Sequence, residues 1–173
     1  MLGKLVEQEL LGKVKKEIME FNGLHEIKTY QPYKTALQYV KNHQYGDPEK
    51  PHRFFPKSLI GKIKENKELF SGNGEEKIAF YTAIDSILDL KHGVDAFFEY
   101  RKNAKEPVVR VTFDVTTNPS KDQYKAEVIL LIPSEGLDPS DTDYEDRIGD
   151  YSHQIISELL TKLEKNAEYR KID

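Results

Sequence analysis

The chain has 173 residues, with 38% hydrophobic and 32% charged side chains, no cysteine and a formal net charge of −4. That length suits one domain able to bury a core without covalent staples. Lack of cysteine excludes disulfides and Cys-based zinc sites, and no apolar run reaches the roughly 18 residues of a membrane-spanning helix. The charge is uneven: residues 1–70 carry 13 basic and 9 acidic side chains, residues 71–173 carry 13 and 21. A phosphate-holding surface beside a metal site would have that pattern, and so would a solvated surface with chance unevenness.

The first residues, MLGKLVEQELLGKVKKEIMEF, mix acids and lysines throughout and contain no apolar signal-peptide core. A cytoplasmic protein with no membrane partner is therefore expected. Leu2, Leu5, Val6, Leu10, Val14 and Ile18 recur at three- and four-residue steps, which predicts an amphipathic helix over 2–20 stopped near Gly23. Its apolar stripe can pack within the chain or pair with a second copy as a homodimer. A second helix is expected from Tyr33 to Asn42, with Ala36, Leu37 and Val40 facing inward. Residues 43–57, HQYGDPEKPHRFFPK, carry three prolines and a glycine and read as loop, followed by a helix over 58–70.

Asn73 and Glu76 have the spacing of a capping box, and Ala79, Phe80, Ala83, Ile84, Ile87 and Leu88 then predict a helix to about Lys91. Strands are expected over 93–100, 108–116 and 125–132. A long last helix follows, with Ile148, Tyr151, Ile155, Ile156, Leu159 and Leu163 on one face. The fold class is α/β: a small mixed sheet of at least three strands flanked by helices. Residues 1–70 form a helical N-terminal extension, and 71–173 form the α/β core.

Candidate chemistry concentrates on two strands. Val109, Val111, Phe113 and Val115 alternate with Arg110, Thr112, Asp114 and Thr116. Aspartate is disfavoured inside strands, so Asp114 stands out. If the first two strands form a hairpin across RKNAKEP, Asp95 meets Asp114 at the end away from the turn. Two neighbouring carboxylates repel unless a cation lies between them, and Mg²⁺ accepts one or two protein carboxylates with water and substrate phosphate. Glu75 or Glu76 from the expected preceding helix would complete such a set. The alternative is a structural role, with both acids bonded to a turn or paired with Arg110.

The order helix, hairpin bearing GVDAFF, strand bearing VTFDVT, third strand and helix resembles the PD-(D/E)XK nuclease superfamily. The resemblance covers residues 75–165. It implies a restriction-endonuclease-like core and Mg²⁺-dependent phosphodiester hydrolysis in DNA or sometimes RNA. Asp95 would be the metal-binding aspartate and Asp114 the acid of the second motif, with Glu76 assisting. The lysine that the family places two residues after that acid is Thr116 here, and Lys121 or Lys125 would take its role. A non-catalytic binding module on a similar scaffold is the other functional reading.

Residues 43–57 interleave aromatic and basic side chains, which suits nucleic acid through stacking and phosphate neutralisation. Lys50, Arg53 and Lys57 are the candidate contacts. Phe54 and Phe55 equally suit the plainer task of tucking the loop onto the core. The five histidines have no metal-ligand spacing. The acids Asp138, Asp141, Asp143, Glu145 and Asp146 suit a helix N-terminus and lack the pattern of a calcium loop.

Overall fold

Alternating apolar residues build four strands: β1 (Lys77–Thr82), β2 (Ala96–Arg101), β3 (Val109–Thr116) and β4 (Val128–Leu131). They come from a computed structural model that describes residues 2–15, 30–120 and 125–169. The strands form one mixed sheet in sequence order. β1, β2 and β3 are successively antiparallel, and β4 lies parallel to β3. The described helices are α1 (Leu2–Leu11), α2 (Tyr33–Asn42), α3 (Phe54–Glu65), α4 (Ile87–His92) and α5 (Tyr144–Tyr169). This is the α/β class expected, with the sheet flanked by helices. None of the described helices is long and apolar enough to cross a membrane.

Burial on both faces explains why the sheet sits centrally. On one face Ile78, Phe80, Phe98, Val111, Phe113 and Leu130 pack beneath α3 and α5, with Leu10 and Leu11 of α1 in the same cluster. Phe98 lies between Phe80 and Phe113, its ring centroid 5.5 and 5.6 Å from theirs, distances at which aromatic pairs attract beyond their buried area. On the other face Phe97 joins Val14, Leu37, Val40, Ala83 and Leu88. The helices of residues 1–70 thus pack directly on the sheet, α1 and α3 on one face and α2 on the other. Leu10 and Leu11 settle inside the chain.

Residues 71–91 depart from the single helix expected there. Ile78, Phe80 and Thr82 are buried alternately, as a strand requires, and only six residues, Ile87–His92, are helical. The apolar positions of this segment satisfy both periods, and pairing with β2 decides between them. The Asn73–Glu76 capping box is likewise corrected. Asn73 Oδ1 accepts the Glu75 amide at 3.2 Å, and Glu76 Oε1 accepts the Ser71 amide at 3.0 Å and its hydroxyl, closing a turn.

α3 starts at Phe54, earlier than expected, because Pro56 falls in its first turn, where no backbone N–H is needed. α1 stops at Leu11. Gly12 follows with φ +78°, and an added Cβ would lie 3.0 Å from Arg53 Nε, so both conformation and space demand glycine. The expected helix beyond residue 15, Gly23, His25 and Lys121 lie outside the described residues.

Candidate active site

Register brings the two aspartates together. Ala96 pairs with Phe113, and the Asp95 amide donates to the Phe113 carbonyl at 3.1 Å while its own carbonyl accepts the Ala83 amide at 2.7 Å. Asp95 is thereby locked at the mouth of β2, directly beside Asp114. The two are 4% and 5% exposed, and the charge of Asp114 acts directly on the Asp95 carboxyl. Asp95 Oδ2 also accepts the Val115 amide at 2.8 Å.

Burial, and next the charge of Asp114, pushes Asp95 up to about 9, with Glu7 of α1 adding its charge and the Val115 amide opposing. Two carboxyls so placed share a proton or hold a cation. The electrostatic cost of the pair is what makes it a candidate site.

α4 brings further acids to this end of the sheet. Ser86 Oγ caps it by accepting the Leu88 and Asp89 amides at 3.1 and 3.4 Å. Just before the cap, Asp85 adopts φ +67°, a conformation costing a non-glycine residue of order 1 kcal/mol or more. Side chains from the N-terminal segment hold it there. Lys4 Nζ reaches Asp85 at 2.8 Å, Lys13 Nζ at 3.5 Å and Gln8 Nε2 at 3.3 Å.

The Asp85 amide in turn donates to Asp89 Oδ2 at 2.8 Å. Burial raises the pKa of Asp89, and the charges of Asp85 and Asp114 add to the effect. At Asp85 burial acts in the same direction, but the hydrogen bond and charge of Lys4 outweigh it, so its carboxyl falls below the ordinary value.

The other expected residues are distributed as follows. Thr116 ends β3, buried, with Oγ1 accepting the Asn118 amide at 3.2 Å. Lys125 turns its tip to the Lys91 carbonyl at 3.1 Å, at the C-terminus of α4. Glu76 does not reach the pair. It precedes Lys77, which pairs with Arg101 at the opposite end of β2 from Asp95, about 20 Å away at the rise of a strand. Arg110 bonds Glu99 through Nε at 3.1 Å and stands apart from the aspartates.

In the loop before α3, Phe55 is buried and Phe54 exposed. Arg53 donates to the Glu9 carbonyl of α1, whereas Lys50 and Lys57 flank a surface cavity of about 400 Å³ with His52.

Sequence reasoning does not single out Lys4, Glu7, Gln8, Asp85 or Asp89. The signal that exists is weak: Lys4 and Gln8 stand four residues apart on one helix face. Among the described residues no three His, Asp or Glu converge as a metal cage. The aspartate pair nonetheless fits Mg²⁺, which needs only one or two protein carboxylates and fills its shell with water and phosphate. No protein family, curated protein or solved structure matches the chain.

Proposed function

We propose that this protein is a metal-dependent phosphodiester hydrolase of nucleic acid, a divergent member of the PD-(D/E)XK type with a restriction-endonuclease-like core. The observation that carries the reading is the buried, facing pair of Asp95 and Asp114 at the ends of adjacent strands. α4, the β2–β3 hairpin, β4 and α5 follow one another in the order that the resemblance requires.

Asp95 and Asp114 would hold the Mg²⁺, which when bound polarises the scissile phosphate and acidifies an attacking water. The Val115 amide fixes the Asp95 carboxylate. Thr116 carries no charge, and the nearest lysines described on α1 and just after it, Lys4 and Lys13, are ion-paired with Asp85. The cysteine-free composition fits a reducing, cytoplasmic setting.

One observation favours the second reading, a non-catalytic binding module: Lys125, an expected substitute for the missing lysine, directs its ammonium at a backbone carbonyl. Cleavage of single- and double-stranded DNA and RNA with Mg²⁺ or Mn²⁺ separates the two. Hydrolysis by the wild type, abolished by Asp114→Asn, is the expected result. A wild type that folds yet cleaves none of the four substrates under either metal would leave the module.

A further inference from the structure

We infer that the surface formed by Lys15, Tyr45 and Phe54, continued by Lys50 and Lys57, is the track on which a single-stranded polynucleotide lies. It rests on the phosphodiester reading only for what happens to the strand once bound. Two large aromatic side chains stand out from the fold here, Tyr45 at 66% and Phe54 at 69% exposure, although Phe55 beside them is fully packed. Core packing accounts for Phe55 and leaves its neighbours unexplained.

A cation accompanies the Tyr45 ring, and two more lie close to Phe54 in sequence. The Lys15 ammonium lies 5.4 Å from the Tyr45 ring centroid, and Lys50 and Lys57 line the adjoining cavity. Among the described residues no carboxylate pairs with Lys15, Lys50 or Lys57. Two acids lie close by, and Glu49 lines the same cavity, so the lysines outnumber the carboxylates by a narrow margin. Asp47 Oδ1 accepts the Glu49 amide at 2.9 Å, and Glu49 faces Lys77 at 3.8 Å.

The surface extends toward Asp85. Tyr45, His52 and Arg53 share a small cleft with Lys13 and Thr82, and Lys13 is the residue whose ammonium reaches Asp85. Gly12–Lys15 is held against the fold beside this surface: the Gly12 carbonyl accepts Thr82 Oγ1 at 3.2 Å, and the Lys15 amide donates to the His43 carbonyl at 2.7 Å.

The pairing of exposed rings with cations selects the strand form. A duplex keeps its base faces stacked inside and offers a protein phosphates and groove edges. An unpaired strand offers base faces that stack on aromatic rings while its phosphates meet lysines.

The test is fluorescence anisotropy with the full chain in EDTA, using labelled oligonucleotides of about 20 nucleotides, long enough to exceed a typical single-strand site. Deoxyribo and ribo single strands and the matching duplex are compared. Single strand of either sugar should bind at least about tenfold tighter than duplex. Tyr45→Ala with Phe54→Ala should weaken that binding about 10- to 100-fold with the salt slope unchanged. Lys50→Ala with Lys57→Ala should lower the slope by about 0.7 for each phosphate no longer neutralised.

Duplex bound as tightly as single strand, or an aromatic double variant that binds like wild type, overturns the inference. Both rings are exposed, so neither substitution threatens the fold. Hydrolysis is scored separately. Single-strand binding without cleavage overturns the hydrolase and keeps the track, and cleavage with duplex preference does the reverse.

Discussion

Two places on the same face of the sheet bury carboxylates, and they do so in opposite ways. Glu99, in the middle of β2 and 7% exposed, has its charge answered from both sides, by Lys41 at 2.7 Å and by Arg110. Asp95, just before the same strand, meets another buried acid, with further acids on α1 and α4 behind it. Glu99 is therefore a member of a closed structural network, since a buried charge is tolerated when paired and bonded. The aspartate pair keeps an electrostatic cost that a ligand or proton would relieve.

The largest effect that would undo this contrast is on activity. Asp114→Asn should reduce Mg²⁺-dependent cleavage by at least about 100-fold, a loss typical of removing a charge that stabilises the transition state. Thermal melts should at the same time show a folded protein. Retained cleavage would put the metal elsewhere.

Glu99→Ala should instead destabilise by about 2–4 kcal/mol. It leaves Lys41 and Arg110 without their partner, and their partial exposure lowers the cost below that of a fully buried pair. Urea titration reads the change directly, and a shift under about 0.5 kcal/mol would make Glu99 an ordinary surface acid.

Asp95→Asn separates the two places further because its sign is opposite. Asp95 titrates at about 9 in the fold and near 4 when unfolded. Its contribution to stability is thus fully present below about pH 4 and lost as pH rises through about 9. In EDTA the wild type should lose melting temperature from pH 5 to 9 relative to Asp95→Asn. At pH 8 the variant should be the more stable by several degrees, at about 2–4 °C per kcal/mol for a chain this size. Mg²⁺ should raise the wild type at pH 8 and leave the variant nearly unmoved. Parallel pH profiles for the two proteins would show that Asp95 carries no such burden.

The smallest effect is expected at Glu76. Glu76→Ala should leave cleavage within about twofold of wild type and the melting temperature almost unchanged, the only loss being its turn bonds to Ser71. A larger loss of activity would mean that the far end of the sheet matters to the site.

Several of these features are legible in the residues themselves. Tyr33–Asn42 forms the helix that its Ala36-Leu37-Val40 stripe predicts. The alternation in VVRVTFDVT forms β3, and the hairpin across RKNAKEP sets Asp95 against Asp114. KIAFYT is less legible because its six residues fit a helical and a strand period equally. The choice falls to β2, whose first residue, Ala96, lies 14 positions beyond Thr82. Asp85 is not legible at all. Its importance comes from a left-handed backbone and from Lys4, Gln8 and Lys13, which lie more than 70 positions away in sequence.

Composition and short-range periodicity suffice for the α/β class, three of the four strands, the facing aspartates and the lack of a cysteine-based site, because each follows from residues close together in the chain. Long-range packing alone makes β1 a strand, sets Glu76 far from the pair and has α1 deliver Lys4 and Glu7 to the aspartates. Those outcomes depend on which distant segments desolvate one another, and local preference does not encode that.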